Sequence, residues 1–170
     1  MNRLLKIFIS LIVIISNISC DQITKEEARV EIEKNEIIEV INDNFILTKV
    51  ENTGAAMSLG QNLPPKLKII ILQILPLLTL ILMFFHIISK KENTKLNLIA
   101  FSFIIGGGIG NIYDRILYNS VTDFMHLKLG AFHTGLFNMA DVSVVVGTLL
   151  LFLNYAKLEM DKKRFKNVSF

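Results

Sequence analysis

Four aspartates in this sequence stand where a carboxylate is costly, at the end of a long apolar run or close beside one. Asp21 follows the first run, with Lys25 four residues on. Asn111, Asp114 and Arg115 close the third, Asp123 comes shortly after, and Asn138 and Asp141 open the fourth. A charged side chain in a membrane span costs about 2.5 to 3.5 kcal/mol on insertion scales, so residues kept there need a reason. Helical spacing gathers them: Asn111, Asp114 and Arg115 are related by i, i+3 and i+4, and Asn138 and Asp141 by i, i+3. Two carboxylates hydrolyse a peptide bond when one, ionised, takes a proton from water and the other, protonated, polarises the carbonyl and later protonates the leaving amine. Like charges at short range do not easily both ionise, so such a pair shares a proton. Snorkelling into headgroups or gluing of helices accounts for any one of these residues alone. Four aspartates from separate segments at one depth point instead to a site.

Neighbours separate the roles. Arg115 beside Asp114 favours the ionised form, and Lys25 does the same for Asp21 if the helix continues that far. Asp123 and Asp141 have no Lys or Arg within four positions and are selected as the catalytic pair. Asn52-Thr53-Gly54-Ala55-Ala56, small residues with one amide, reads as a turn or as a wall of the site. The run Gly106-Gly107-Gly108-Ile109-Gly110 lies in an apolar helix without a preceding strand, so it reads as close helix packing rather than nucleotide binding. His86, His126 and His133 lack metal-ligand spacing and Cys20 is the single cysteine, so neither metal nor cofactor is expected.

The elements that must position these groups are membrane helices. Hydrophobic residues make up 52% of the 170-residue chain and charged ones 19%, below the ~25% of soluble domains, and the mean hydropathy is +0.51. Four runs, at about 4–18, 67–88, 96–117 and 137–156, approach the roughly 17 to 25 residues that cross a bilayer. The expected fold is membrane all-α, one domain over 1–170, with loops at about 19–66 and 118–136 and a tail at 157–170. Ten basic residues (Arg3, Lys6, Lys90, Lys91, Lys95, Lys157, Lys162, Lys163, Arg164 and Lys166) flank one side, which places both termini in the cytoplasm and the two longer loops on the exported face. The first loop, Cys20 to Pro65, holds nine acidic against four basic residues. It also carries two β-rich runs, Ile37 to Ile41 and Phe45 to Val50, around the turn former Asn42-Asp43-Asn44: a small β-hairpin or sheet element set on the membrane surface or the helix ends. The net charge of +3 has no patch that would take nucleic acid.

Asp21-Gln22-Ile23-Thr24-Lys25, Asn52-Thr53-Gly54-Ala55-Ala56, Gly110-Asn111-Ile112-Tyr113-Asp114-Arg115, Val121-Thr122-Asp123-Phe124 and Phe137-Asn138-Met139-Ala140-Asp141 resemble, in that order, the motifs of bacterial lipoprotein signal peptidase, or signal peptidase II. The resemblance covers nearly the whole chain apart from the basic tail. Met57 stands where the family commonly has Phe, and Gly108 where Ala is frequent. It implies a four-span aspartic endopeptidase of the bacterial cytoplasmic (inner) membrane, acting as a monomer near the exported, periplasmic face. Its substrates would be diacylglyceryl-modified prolipoproteins, embedded in membrane lipid and cut just before the lipidated cysteine. By it Asp123 and Asp141 are catalytic, while Asp21, Lys25, Asn52, Gly54, Asn111, Asp114, Arg115, Asn138 and Ala140 bind substrate or support the pair. Two other readings of the residues compete: a small transporter or proton-relay subunit using the same aspartates, and a lipoprotein anchored at Cys20 after signal cleavage.

Overall fold

The computed structural model describes residues 2–34, 36–90 and 94–168, with side chains through Lys163. Lys91 and the side chains of Arg164 and Lys166, used above for orientation, lie outside the described residues. Helix α1, Arg3–Glu31, opens on Asn2, whose side chain accepts the Leu5 N–H at 2.8 Å. It does not stop where the apolar run ends at Ile18 but continues unbroken through Cys20, because Asp21 to Glu31 is rich in the helix formers Gln, Lys, Glu and Ala. Helix α2, Pro65–Ser89, starts with proline in its first turn, where the missing N–H costs nothing. Ile70–Ile74 is one π-helical turn in which the Leu75 N–H reaches Ile70 O, just ahead of Pro76, which has no N–H to donate. Helix α3, Lys95–Tyr118, is capped by Thr94 and closes on Asn119 in the left-handed region at φ 58°. Helix α4 runs from Met139 to Val168.

The four helices, each long and apolar enough to cross a membrane, alternate in direction. At one end the Lys6 ammonium donates to Lys90 O after the last turn of α2, and Asn154 of α4 donates to Thr94 and Asn97 at the start of α3. The opposite end therefore holds the C-termini of α1 and α3 and the N-termini of α2 and α4. Apolar side chains such as Phe8, Ile15, Leu82, Phe85, Phe152 and Leu153 point outward and stay exposed, while Ile14, Leu80, Ile87, Leu98, Ile105 and Ile112 pack inward. That inside-out distribution suits lipid as solvent. Glycines let the backbones approach: a Cβ on Gly107 would strike Ala140 O of α4, and one on Gly110 would come 2.5 Å from Asp21 Oδ2 of α1.

The site-bearing end carries a four-stranded antiparallel sheet, β1 (Ile38–Ile41), β2 (Phe45–Asn52), β3 (Val121–Leu129) and β4 (Phe132–His133), in that order. The sheet is larger than a hairpin in the first inter-helix loop. The second connection, which reads as a short, partly apolar loop, supplies β3, whose Leu127 to Val121 pair with Phe45 to Asn52. A two-stranded hairpin is marginal in water, and the third strand resolves that instability. Phe124 and Met125 of β3 pack with Ala28 and Ile32 and against Phe45, Leu47 and Phe137, which fixes the sheet to the end of α1.

Candidate active site

The site is assembled from the C-terminal halves of α1 and α3, the start of α4 and the touching ends of β2 and β3. Asn138 precedes α4 and forms a reciprocal capping box with Asp141: its Oδ1 accepts the Asp141 N–H at 3.1 Å, and Asp141 Oδ2 accepts the Asn138 N–H at 3.1 Å. The i, i+3 spacing noted in the sequence thus locks Asp141 onto the first turn of the helix, whose positive end favours an anion. Asn138 Nδ2 donates to Asp123 Oδ1 at 2.6 Å, so one residue ties the two carboxylates together. Asp123 Oδ2 accepts from Asn52 Nδ2 at 3.0 Å, and Asp141 Oδ1 accepts from Asn111 Nδ2 at 2.9 Å. Each aspartate therefore takes two N–H hydrogen bonds. Burial pushes the Asp123 carboxyl up to about 6, against the hydrogen bond from Asn52 and with help from the charge of Asp141.

Behind this pair lies a buried charge cluster. Lys25, Asp21 and Asp114 are fully buried, with Lys25 Nζ 2.8 Å from Asp21 Oδ2 and 3.1 Å from Asp114 Oδ2. Lys25 also donates to Asn111 Oδ1 at 2.9 Å, which aims the Asn111 amide at Asp141. Asp21 Oδ1 accepts the Ala140 N–H at 2.8 Å, holding the first turn of α4 against α1. Ala140 is completely buried, and nothing larger than Gly110 fits opposite Asp21 and Ala140. The cation held against Asp114 differs from the one its sequence neighbour suggested: adjacent helical residues do not face each other, and Asp114 pairs with Lys25 and Arg29 instead. Arg115 turns the other way, donating to Gly54 O at 2.9 Å and to Asn111 O at 3.2 Å. Gly54 has no space for a Cβ, which would stand 2.7 Å from Leu59 O.

Each candidate catalytic or supporting residue is thus in one continuous network, which Gln22, Thr122 and Arg29 extend. Gln22 donates to Asp21 Oδ2 and Asp114 Oδ1, each at 3.0 Å. Thr122 gives its N–H to Asp114 and its hydroxyl to Glu51. Arg29 reaches Thr122 Oγ1 with Nε at 2.9 Å and Asp114 with Nη2 at 3.1 Å. The repeat Asp21, Lys25, Arg29 at four-residue intervals was the available signal for Arg29, masked because hydropathy alone ends the helix at Ile18.

A cavity of about 850 Å³ opens over the two aspartates. Asn52, Asn111, Arg115, Asp123 and Asp141 line its polar end, and Leu72 and Pro76 of α2, Ile112 of α3 and Val142 and Val145 of α4 line its apolar wall. The π-turn of α2 thus faces the cavity. Such a space accepts a long apolar group and presents a polar bond beside it to the carboxylates.

The signal peptidase (SPase) II family model matches residues 11–157. The lipoprotein signal peptidase of Clostridium novyi (strain NT) is 37% identical over 142 residues, covering 82% of this chain and 92% of the relative. That of Clostridium tetani is 37% identical over 145 residues, with 84% and 89% covered, and that of Francisella tularensis subsp. novicida 35% over 147, with 86% and 89% covered. Two solved structures of a bacterial membrane enzyme superimpose with TM-scores of 0.81 and 0.77 at 26% identity, over 92% and 88% of this chain and 92% and 93% of theirs.

Proposed function

The chain belongs to the signal peptidase II family of aspartic peptidases, and from that premise we propose that Asp123 and Asp141 cut prolipoproteins just before a diacylglyceryl-modified cysteine. It is a multi-pass membrane protein that removes prolipoprotein signal peptides. The observation that carries the reading of the site is the shared contact of Asn138 with both carboxylates, at the mouth of a cavity with an apolar wall.

In the mechanism Asp123 carries the proton, in keeping with its buried carboxyl, and Asp141 at the positive end of α4 is the base. Asp141 takes a proton from an attacking water, Asp123 polarises the scissile carbonyl and the amine leaves with a proton from the pair. Asn52, Asn111 and Asn138 keep the two side chains in place. Arg115, whose buried Nε has no hydrogen-bond partner among the described residues, is placed to meet a substrate carbonyl or lipid phosphate. The diacylglyceryl chains and the apolar signal helix occupy the Leu72, Ile112 and Val145 side of the cavity.

The excess of basic residues at the opposite end of the bundle supports a setting in the bacterial inner membrane with both termini cytoplasmic and the aspartates at the exported face. The enzyme acts as a monomer in a single domain. A transporter or proton relay is not favoured, since the family is one of peptidases. The test is incubation of the purified protein with a synthetic precursor peptide carrying diacylglyceryl-cysteine, in detergent or lipid. Mass spectrometry should find a cut immediately before the cysteine and none in the unlipidated peptide; a lipidated precursor left whole at every enzyme concentration defeats the reading.

A further inference from the structure

We infer that Arg29 is a positioning residue that completes the charge balance of the buried cluster and thereby sets the proton affinity of Asp123, an inference that rests on the peptidase reading above. Asp21, Asp114 and Lys25 are fully buried, and with both carboxylates ionised the three carry one negative charge in excess. Arg29 supplies the missing cation. Its Nη2 is buried with no hydrogen-bond partner among the described residues and is compensated by the ion pair to Asp114 at 3.1 Å. Its guanidinium lies 4.2 Å from the centre of the Tyr118 ring, which fixes its plane.

The charged groups around Arg29 decide which of them depends on it. On its own helix Glu26 is 3.5 Å away but 63% exposed, so solvent screens that pair. From α3 come Asp114 and Tyr118. From β2 come Glu51, exposed and joined through Thr122, and Lys49, whose ammonium donates to Arg29 O. From β3 comes Thr122, next in sequence to Asp123. Asp114 is therefore the buried carboxylate that Arg29 neutralises.

Two routes connect this cluster to the pair. Lys25 reaches Asp141 through Asn111, and Asp21 and Arg29 hold Ala140 and Thr122, the residues that immediately precede Asp141 and Asp123. An uncompensated negative charge in the cluster behind Asp123, in low-dielectric surroundings, makes that carboxyl hold its proton more tightly.

The experiment is the pH profile of kcat/KM with a diacylglyceryl precursor for the wild type, Arg29→Lys, Arg29→Met and Arg29→Met combined with Asp114→Asn. Arg29→Met should move the alkaline limb of the profile upward by about one pH unit. Arg29→Lys should keep it in place. The double variant, which removes one charge of each sign, should bring the limb back even if its rate stays low. Arg29→Gln, which keeps a donor for Thr122 without the charge, replaces Arg29→Met if that variant does not fold. Equal losses of rate in the Lys and Met variants with an unmoved alkaline limb would overturn the inference and leave Arg29 a strut. Failure of the wild-type enzyme to cut defeats the functional reading itself and is distinguishable from either result.

Discussion

Asn138 and Asp141 cap each other across the first turn of α4, each accepting the other's backbone N–H at 3.1 Å, while the Asn138 amide donates to Asp123 at 2.6 Å. The helix start and the proposed catalytic pair are therefore one structure. A residue that looks like an ordinary N-cap determines the spacing of the two carboxylates.

Asn138→Ala should lower kcat by about 10² to 10⁴-fold, within the range of misplaced acid–base groups, and should also destabilise the protein by about 0.5 to 2 kcal/mol through the lost cap. Steady-state kinetics with thermal unfolding in detergent measures both. Loss of stability without loss of kcat refutes the positioning role.

The pH dependence follows from Asp123, whose carboxyl is raised to about 6 from the unperturbed 3.8. As the proposed proton donor it must be protonated in the free enzyme, so kcat/KM should decline as pH rises through about 6. The sign for stability is the same: the folded state binds the proton more tightly than the unfolded chain, so this group's contribution is greatest below pH 3.8 and declines as pH rises toward 6. A profile flat from pH 5 to pH 8 would contradict the assignment.

Lys25→Met should cost about 3 to 5 kcal/mol, because it leaves Asp21 buried without an ion-pair partner among the described residues and Asp114 with Arg29 alone. Chemical or thermal denaturation in detergent reads this directly. A change under 1 kcal/mol means that water or another cation reaches the cluster.

Gly107→Ala and Gly130→Ala should behave differently. A Cβ at Gly107 strikes Ala140 O and displaces the start of α4, so overpacking of about 1 to 3 kcal/mol should come with a loss of activity. Gly130, in the turn between β3 and β4 at φ 61°, has open space around it, so alanine there meets backbone strain of about 1 kcal/mol and should leave cleavage intact. Equal activity in the two variants counts against close packing of α3 on α4 as a condition for the site.

The four membrane helices were legible because lipid demands long apolar runs; the i, i+3 spacing of Asn138 and Asp141 brings them together not as one helix face but as a cap, since Asn138 precedes α4. Other features were hidden for physical reasons. Hydropathy ends the first helix at Ile18, so Arg29 read as a loop residue although it lies on the same helix face as Asp21 and Lys25. Val121 to Leu129 read as a connection because a strand whose register depends on β2 leaves little trace of its own. Adjacency suggests Arg115 as the partner of Asp114, whereas tertiary contact supplies Lys25 and Arg29. Short-range pattern found the groups; the long-range pairing that tunes them appeared only in three dimensions.

Single-turnover cutting of a diacylglyceryl precursor by the wild type, Asp123→Asn and Asp141→Asn measures whether Asp123 and Asp141 perform the cleavage together. With all three proteins folded by circular dichroism, the wild type should release the signal peptide and each variant should form product at least about 10²-fold more slowly. Cleavage by either variant at close to the wild-type rate would exclude Asp123 and Asp141 as a catalytic pair.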